Sequence, residues 1–136
     1  MQPTARRFCQ IAALLLALAT VIGALGTHAL KPRLGADRYA VLQTAVDYQY
    51  FHSLGLLALS VLLDRFPHRR LRIAAWLLLI GVVLFCGSLY WILAGAPRLV
   101  GVLTPIGGAA LIAAWCLAAC ALGAARTPSP PGADLG

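Results

Sequence analysis

Acidic side chains are almost missing from this sequence: 136 residues hold four Asp and Glu together. Asp37, Asp47, Asp64 and Asp134 are scattered one to a segment, so no two carboxylates stand at a spacing suited to general acid and base work. No grouping of Ser, His and an acid, and no glycine-rich phosphate loop, takes their place. Charge of either sign is low, at 11% of residues, while hydrophobic residues reach 61% and mean hydropathy is +0.85. A soluble fold could not cover that much apolar surface. The net charge of +7 would suit a nucleic acid if the arginines lined one polar face. They fall between apolar runs instead, which excludes nucleic acid as a partner and points to the lipid bilayer.

Cysteine is also too sparse and too deep in apolar sequence for a disulfide framework. Cys86, Cys116 and Cys120 lie inside apolar runs and Cys9 at the start of one, where a thiol packs as a small hydrophobe. Cys116 and Cys120 are one helical turn apart, but nearby residues offer no further ligands. Neither a metal nor another cofactor is expected.

What is present is a succession of four apolar runs. The first, over 8–30, carries no charge and is long enough to cross about 30 Å of hydrocarbon as a helix. Arg6-Arg7 before it and Thr27-His28-Ala29 at its end imitate an export signal, but a secretory apolar region is only about 7 to 15 residues long. Three more membrane-length segments follow rather than a polar mature domain, so the run is read as a retained helix. The others cover 45–63, 73–94 and 99–125, with Pro105 near the start of the last, where a helix tolerates it. The second is the least apolar, and 35–44 before it is read as an amphipathic turn or two. The expected fold is an all-α membrane protein, four transmembrane helices in a compact antiparallel bundle over 8–125. A short N-terminus over 1–7 precedes it. A proline- and glycine-rich tail over 126–136, too poor in apolar residues to fold, follows.

Basic residues in short loops set orientation. Arg6, Arg7, Arg65, Arg69, Arg70, Arg72 and Arg126 fall on one side, Lys31, Arg33, Arg38 and Arg98 on the other, so both termini are expected in the cytoplasm.

Helices in lipid associate through small residues that let backbones approach. Ala13, Ala17, Thr20, Ala24 and Thr27 recur at steps of 4, 3, 4 and 3 in the first run, and Ala109, Ala113, Cys116, Cys120 and Gly123 do so in the last. Ala74, Gly81, Ser88 and Gly95 recur every seven residues in the third. These stripes are the expected packing faces, and a bundle so tight leaves no wide pore within one protomer.

The polar residues then stand out. Thr44, Tyr48 and His52 lie at steps of four beside Asp47 and Gln49, and His28 ends the first run at a similar depth. With Ser88 and Thr104 they form an expected polar cluster, its His28 and His52 ends converging, since hydrocarbon offers polar groups no partner. One reading makes these residues staples between helices, each hydrogen bond worth about 0.6 to 2 kcal/mol. The other makes them a proton-accepting or ligand-binding site, histidine titrating near neutral pH. A haem held by His28 and His52 is a third arrangement, carried by two residues only.

Four stretches together resemble one known family. "GALGTHALK", "QTAVDYQYFHSL", "GSLY" and "TPIGG" follow in the order found in the YgdD/YwdK-type family of small multi-pass inner-membrane proteins of unknown function. The resemblance covers about 8–125. It singles out Gly23, Gly26, His28, Leu30 and Lys31, then Gln43, Thr44, Asp47, Tyr48, Gln49 and His52. Further on it marks Gly87 to Tyr90, Thr104, Pro105, Gly107 and Gly108. The family often has an aromatic at Leu25 and alanine at Thr27. Gly23, Gly26, Gly87, Gly107 and Gly108 join Gly81 as the expected packing glycines. The resemblance implies a multi-pass protein of the bacterial inner membrane and supplies no activity.

The function expected from all this is that of a non-enzymatic structural or assembly factor, associating with further copies of itself or with other membrane proteins. The alternative is an oligomer that moves a small solute or protons past the outer polar cluster. An enzyme using His28 or His52 as base on a lipophilic substrate is the third reading.

Overall fold

The computed structural model describes residues 1–124; the expected tail over 126–136 lies outside the described residues. Every regular element is helical: α1 (Pro3–Leu25), a π turn (Gly26–Leu30), α2 (Lys31–Arg65), α3 (Arg69–Leu93), a short 3-10 turn (Arg98–Val102) and α4 (Leu103–Ala124). Pro3 and Pro32 sit in first turns, where the missing N–H is no loss. His68 caps α3, its Nδ1 accepting from the Arg70 N–H at 3.1 Å.

Among the described residues three pieces are long and apolar enough to cross a membrane: Pro3–Arg65, Arg69–Leu93 and Leu99–Gly123. The first, of 63 residues, would reach about 95 Å if straight. It folds back on itself instead, so that the Gln2 N–H donates to Asp64 Oδ1 at 2.6 Å. The reversal is made by the π turn and by Gly35, whose φ of 73° and ψ of 164° belong to a region open essentially to glycine alone. From Ala36 onward α2 is continuous, so its helix starts well before the apolar run at 45. Gly95, at φ 96°, makes the corresponding tight reversal after α3.

α2 and α3 are the central pair, with α1 packed on α2 and α4 on α3. Phe8 and Ala12 from α1, Leu56, Leu59 and Leu63 from α2, Leu71 to Cys86 from α3 and Leu111 to Ala121 from α4 supply one buried cluster. Close approach is greatest at three glycines. A Cβ on Gly81 would meet Leu111 at 2.6 Å, one on Gly55 would meet the Trp115 ring at 2.5 Å, and one on Gly107 would lie on the backbone N of Phe85. In a bilayer such approach, rather than apolar burial, is what favours association.

The packing faces correct two of the three expected stripes. Ala13, Ala17, Thr20, Ala24 and Thr27 are all exposed, as are Ala109, Ala113, Cys116, Cys120 and Gly123. α1 buries Ala5, Phe8, Ala12 and Ala19, and α4 buries Gly107, Leu111, Ala114, Ala118 and Ala121. Both helices carry small residues on more than one side, and periodicity alone does not rank the sides. On α1 the side with Phe8 faces inward, its ring edge-on to Trp76 at 5.1 Å. In α3 the expected face is the buried one, through Ala74, Gly81 and Ser88, while Gly95 is exposed in the turn.

Candidate functional site: polar links between helices and an open groove

Gln49 is buried, at 2% exposure, with a partner at each end of its amide. Its Nε2 donates to the Leu15 carbonyl of α1 at 2.8 Å, and its Oε1 accepts from the Tyr90 hydroxyl of α3 at 2.8 Å. These two partners fix which way the amide points, since a carbonyl only accepts. One side chain thereby ties three helices together. A second link joins α3 to α4. Ser88 Oγ donates to the Phe85 carbonyl at 2.9 Å and lies 2.7 Å from Thr104 Oγ1. Ser88 has one hydroxyl hydrogen, so Thr104 is the donor of that pair.

Tyr48 and His52 form an aromatic column rather than a hydrogen-bonded site. The Tyr48 ring stacks on Phe85 at 4.6 Å and on His52 at 5.4 Å, and the His52 ring lies 6.3 Å from Trp115. His52 Nδ1 is 2.8 Å from the Tyr48 carbonyl, which requires the proton on Nδ1. Thr44 turns its hydroxyl back to Ala40 of its own helix at 3.0 Å.

The expected cluster is thus several separate arrangements. His28 stands apart from them: it is exposed in the π turn, and among the described residues the ring neighbours of His52 are Tyr48 and Trp115. The reason is the phase of α1, since His28 continues the side of Ala17, Thr20 and Ala24, which faces outward. Asp47 is also exposed, on an open groove of about 150 Å³ lined by Gly23, Gly26 and Thr27 from one limb and Tyr39, Leu42, Gln43 and Val46 from the other.

The glycines divide likewise. Gly26 is buried, with Leu42 2.9 Å from where its Cβ would be, and Gly23 and Gly108 make ordinary contacts at 3.4 and 3.7 Å. Gly87 is exposed and a Cβ there meets nothing, so it is not a packing glycine. Gly55 is a packing glycine that the spacing of small residues does not mark, because its partner Trp115 is sixty residues on. Ser53, outside the expected cluster although it follows Gln49 by one helical turn, is fully buried with its hydroxyl unpartnered. Among the described residues no three His, Cys, Asp or Glu side chains stand together for a metal.

The model of a family described as "Protein of unknown function (DUF423)" matches residues 22–108. A UPF0382 membrane protein of Staphylococcus haemolyticus is 37% identical over 110 residues, covering 81% of this chain and 89% of the relative. The UPF0382 inner membrane protein YgdD of Escherichia coli is 38% identical over 102 residues, covering 71% and 73%. No solved structure matches the chain.

Proposed function

Because the chain belongs to the DUF423 family of membrane proteins, we propose that it crosses the bilayer four times and acts as a non-enzymatic structural or assembly factor. It is a multi-pass protein of the bacterial cell inner membrane. The hairpin closed by Gln2 and Asp64 supports two crossings within Pro3–Arg65, since a helix pair with its far ends joined returns to the side it left. The balance of basic loops then favours both termini in the cytoplasm.

The observation that carries the functional reading is Gln49. In hydrocarbon an amide is costly unless both its ends are partnered. Here both are used to join α1, α2 and α3, with no free end turned toward a substrate. A bundle fixed in this way presents outer faces to other membrane proteins or to further copies.

Crosslinking in the native membrane followed by purification in mild detergent tests it. Specific crosslinked partners or a defined homo-oligomer are expected. A solitary monomer with measurable turnover on a lipid or quinone would overturn the reading. Cysteine-accessibility labelling at positions 2 and 37 checks the crossings separately, with opposite sides expected.

A further inference from the structure

The groove between the two limbs of the hairpin carries a charge that the bundle does not use. Asp47 lines it with its carboxylate exposed, and no ion pair joins Asp47 to a basic side chain among the described residues. Lys31 places Nζ over the ring of Tyr39, which lines the groove, 5.5 Å from its centroid. Position along α2 gives the depth. Asp47 lies seventeen residues before Asp64, about 25 Å along a helix, against a hydrocarbon layer of about 30 Å. If Asp64 marks one border, Asp47 stands at the other, where lipid headgroups begin.

The lining has a definite hydrogen-bonding character. Asp47 only accepts. Thr27 Oγ1 has given its one hydrogen to the Gly23 carbonyl at 3.1 Å, so toward the groove it too can only accept. Gln43 adds an amide, whose oxygen accepts and whose NH2 donates. An acceptor-rich site with one negative charge fits a cation that carries several N–H donors, which is a primary ammonium. We infer that the groove holds the ammonium of an ethanolamine phospholipid headgroup, with Lys31 at the rim for the phosphate beside it. A phospholipid is favoured over a water-borne amine because Leu54, two turns below Asp47 on the same side of α2, is 52% exposed and continues an apolar track for an acyl chain. A choline headgroup has no N–H to give, and the one ring at the groove is already faced by Lys31. The inference rests on α1 and α2 both crossing the bilayer.

The test is native mass spectrometry of the full chain released from nanodiscs that contain equal phosphatidylethanolamine and phosphatidylcholine. Phosphatidylethanolamine should be retained about tenfold better, a ratio that one charge-assisted hydrogen bond supplies. Asp47→Asn keeps the shape of the side chain and should abolish the preference, whereas Asp37→Asn, exposed and outside the groove, should leave it. Free ethanolamine at the same concentration should not displace the lipid. Equal retention of the two lipids, a preference that survives Asp47→Asn, or displacement by free ethanolamine would each overturn the inference. Labelling of cysteines at positions 2 and 37 in sealed vesicles, both outside the groove, reports independently on the crossings. Labelling of both from the same side would count against the four-span reading rather than against the groove.

Discussion

Replacing Tyr90 by phenylalanine deletes the hydroxyl that donates to Gln49 Oε1 and changes nothing else in the outline of α3. Interhelical hydrogen bonds in membranes contribute about 0.6 kcal/mol on average and up to roughly 2. Tyr90→Phe removes one such bond and leaves a buried amide oxygen without its donor, so a loss of about 1 to 2 kcal/mol is expected. Gln49→Leu removes two bonds, to Leu15 and to Tyr90, and returns some stability by taking an amide out of the apolar interior. Its expected loss is roughly 1 to 3 kcal/mol. The decisive quantity is the coupling between the two. If Tyr90 acts through Gln49, the double variant should be less destabilised than the sum by about 0.6 kcal/mol or more. Reversible unfolding in mixed micelles with increasing sodium dodecyl sulfate, followed by helical circular dichroism, reads all four corners of the cycle. Thr44→Val serves as control, because the Thr44 hydroxyl reaches only Ala40 of its own helix. Additivity within about 0.3 kcal/mol would refute the three-helix link.

The same assay checks three further expectations. Gly107→Val should lower stability by roughly 1 to 3 kcal/mol or prevent folding, since its Cβ falls on the Phe85 backbone, whereas Gly87→Ala should be neutral or stabilising. Ala12→Phe should destabilise by a similar amount and Ala24→Phe should not, because Ala12 is buried and Ala24 exposed. The opposite order would restore the outward stripe as the packing face. Gly35→Ala, at φ 73°, should cost about 1 to 3 kcal/mol through backbone strain with no clash, since nothing lies within 4 Å of its Cβ position. An unchanged midpoint would mean that the reversal does not need this conformation.

Much of the fold was legible because apolar length is a strong signal in a chain with so little charge. The long helices follow from uncharged runs punctuated by Gly, Pro and Arg, whereas the reversal at Gly35 falls in a stretch whose sequence suggests only an amphipathic turn or two. Which side of each helix faces inward was far less legible. In a soluble protein the outer side is polar and announces itself, but here Leu14 and Leu18, 71% and 49% exposed, are as apolar as buried Leu56. The stripe through Ala74, Gly81 and Ser88, legible from its seven-residue spacing, also carries Ser88, a polar group that hydrocarbon would not accommodate unpaired. The stripes on α1 and α4 had no such marker strong enough to rank them. Gln49, Ser88 and Thr104 could be singled out as polar residues in apolar surroundings. That Tyr90, forty-one positions on, is the partner of Gln49 could not be read before the helices were in place.

That separation also sets an order of events during synthesis. Gln49 emerges with its first partner, the Leu15 carbonyl, already made, but Tyr90 follows 41 residues later. At about 5 to 20 residues per second the amide oxygen then waits roughly 2 to 8 seconds for its donor. During that interval the α1–α2 hairpin holds a half-partnered amide, which water or an insertion factor must meet. The hairpin is complete in its backbone from residue 65, but the bundle becomes a single cooperative unit only when the third helix arrives.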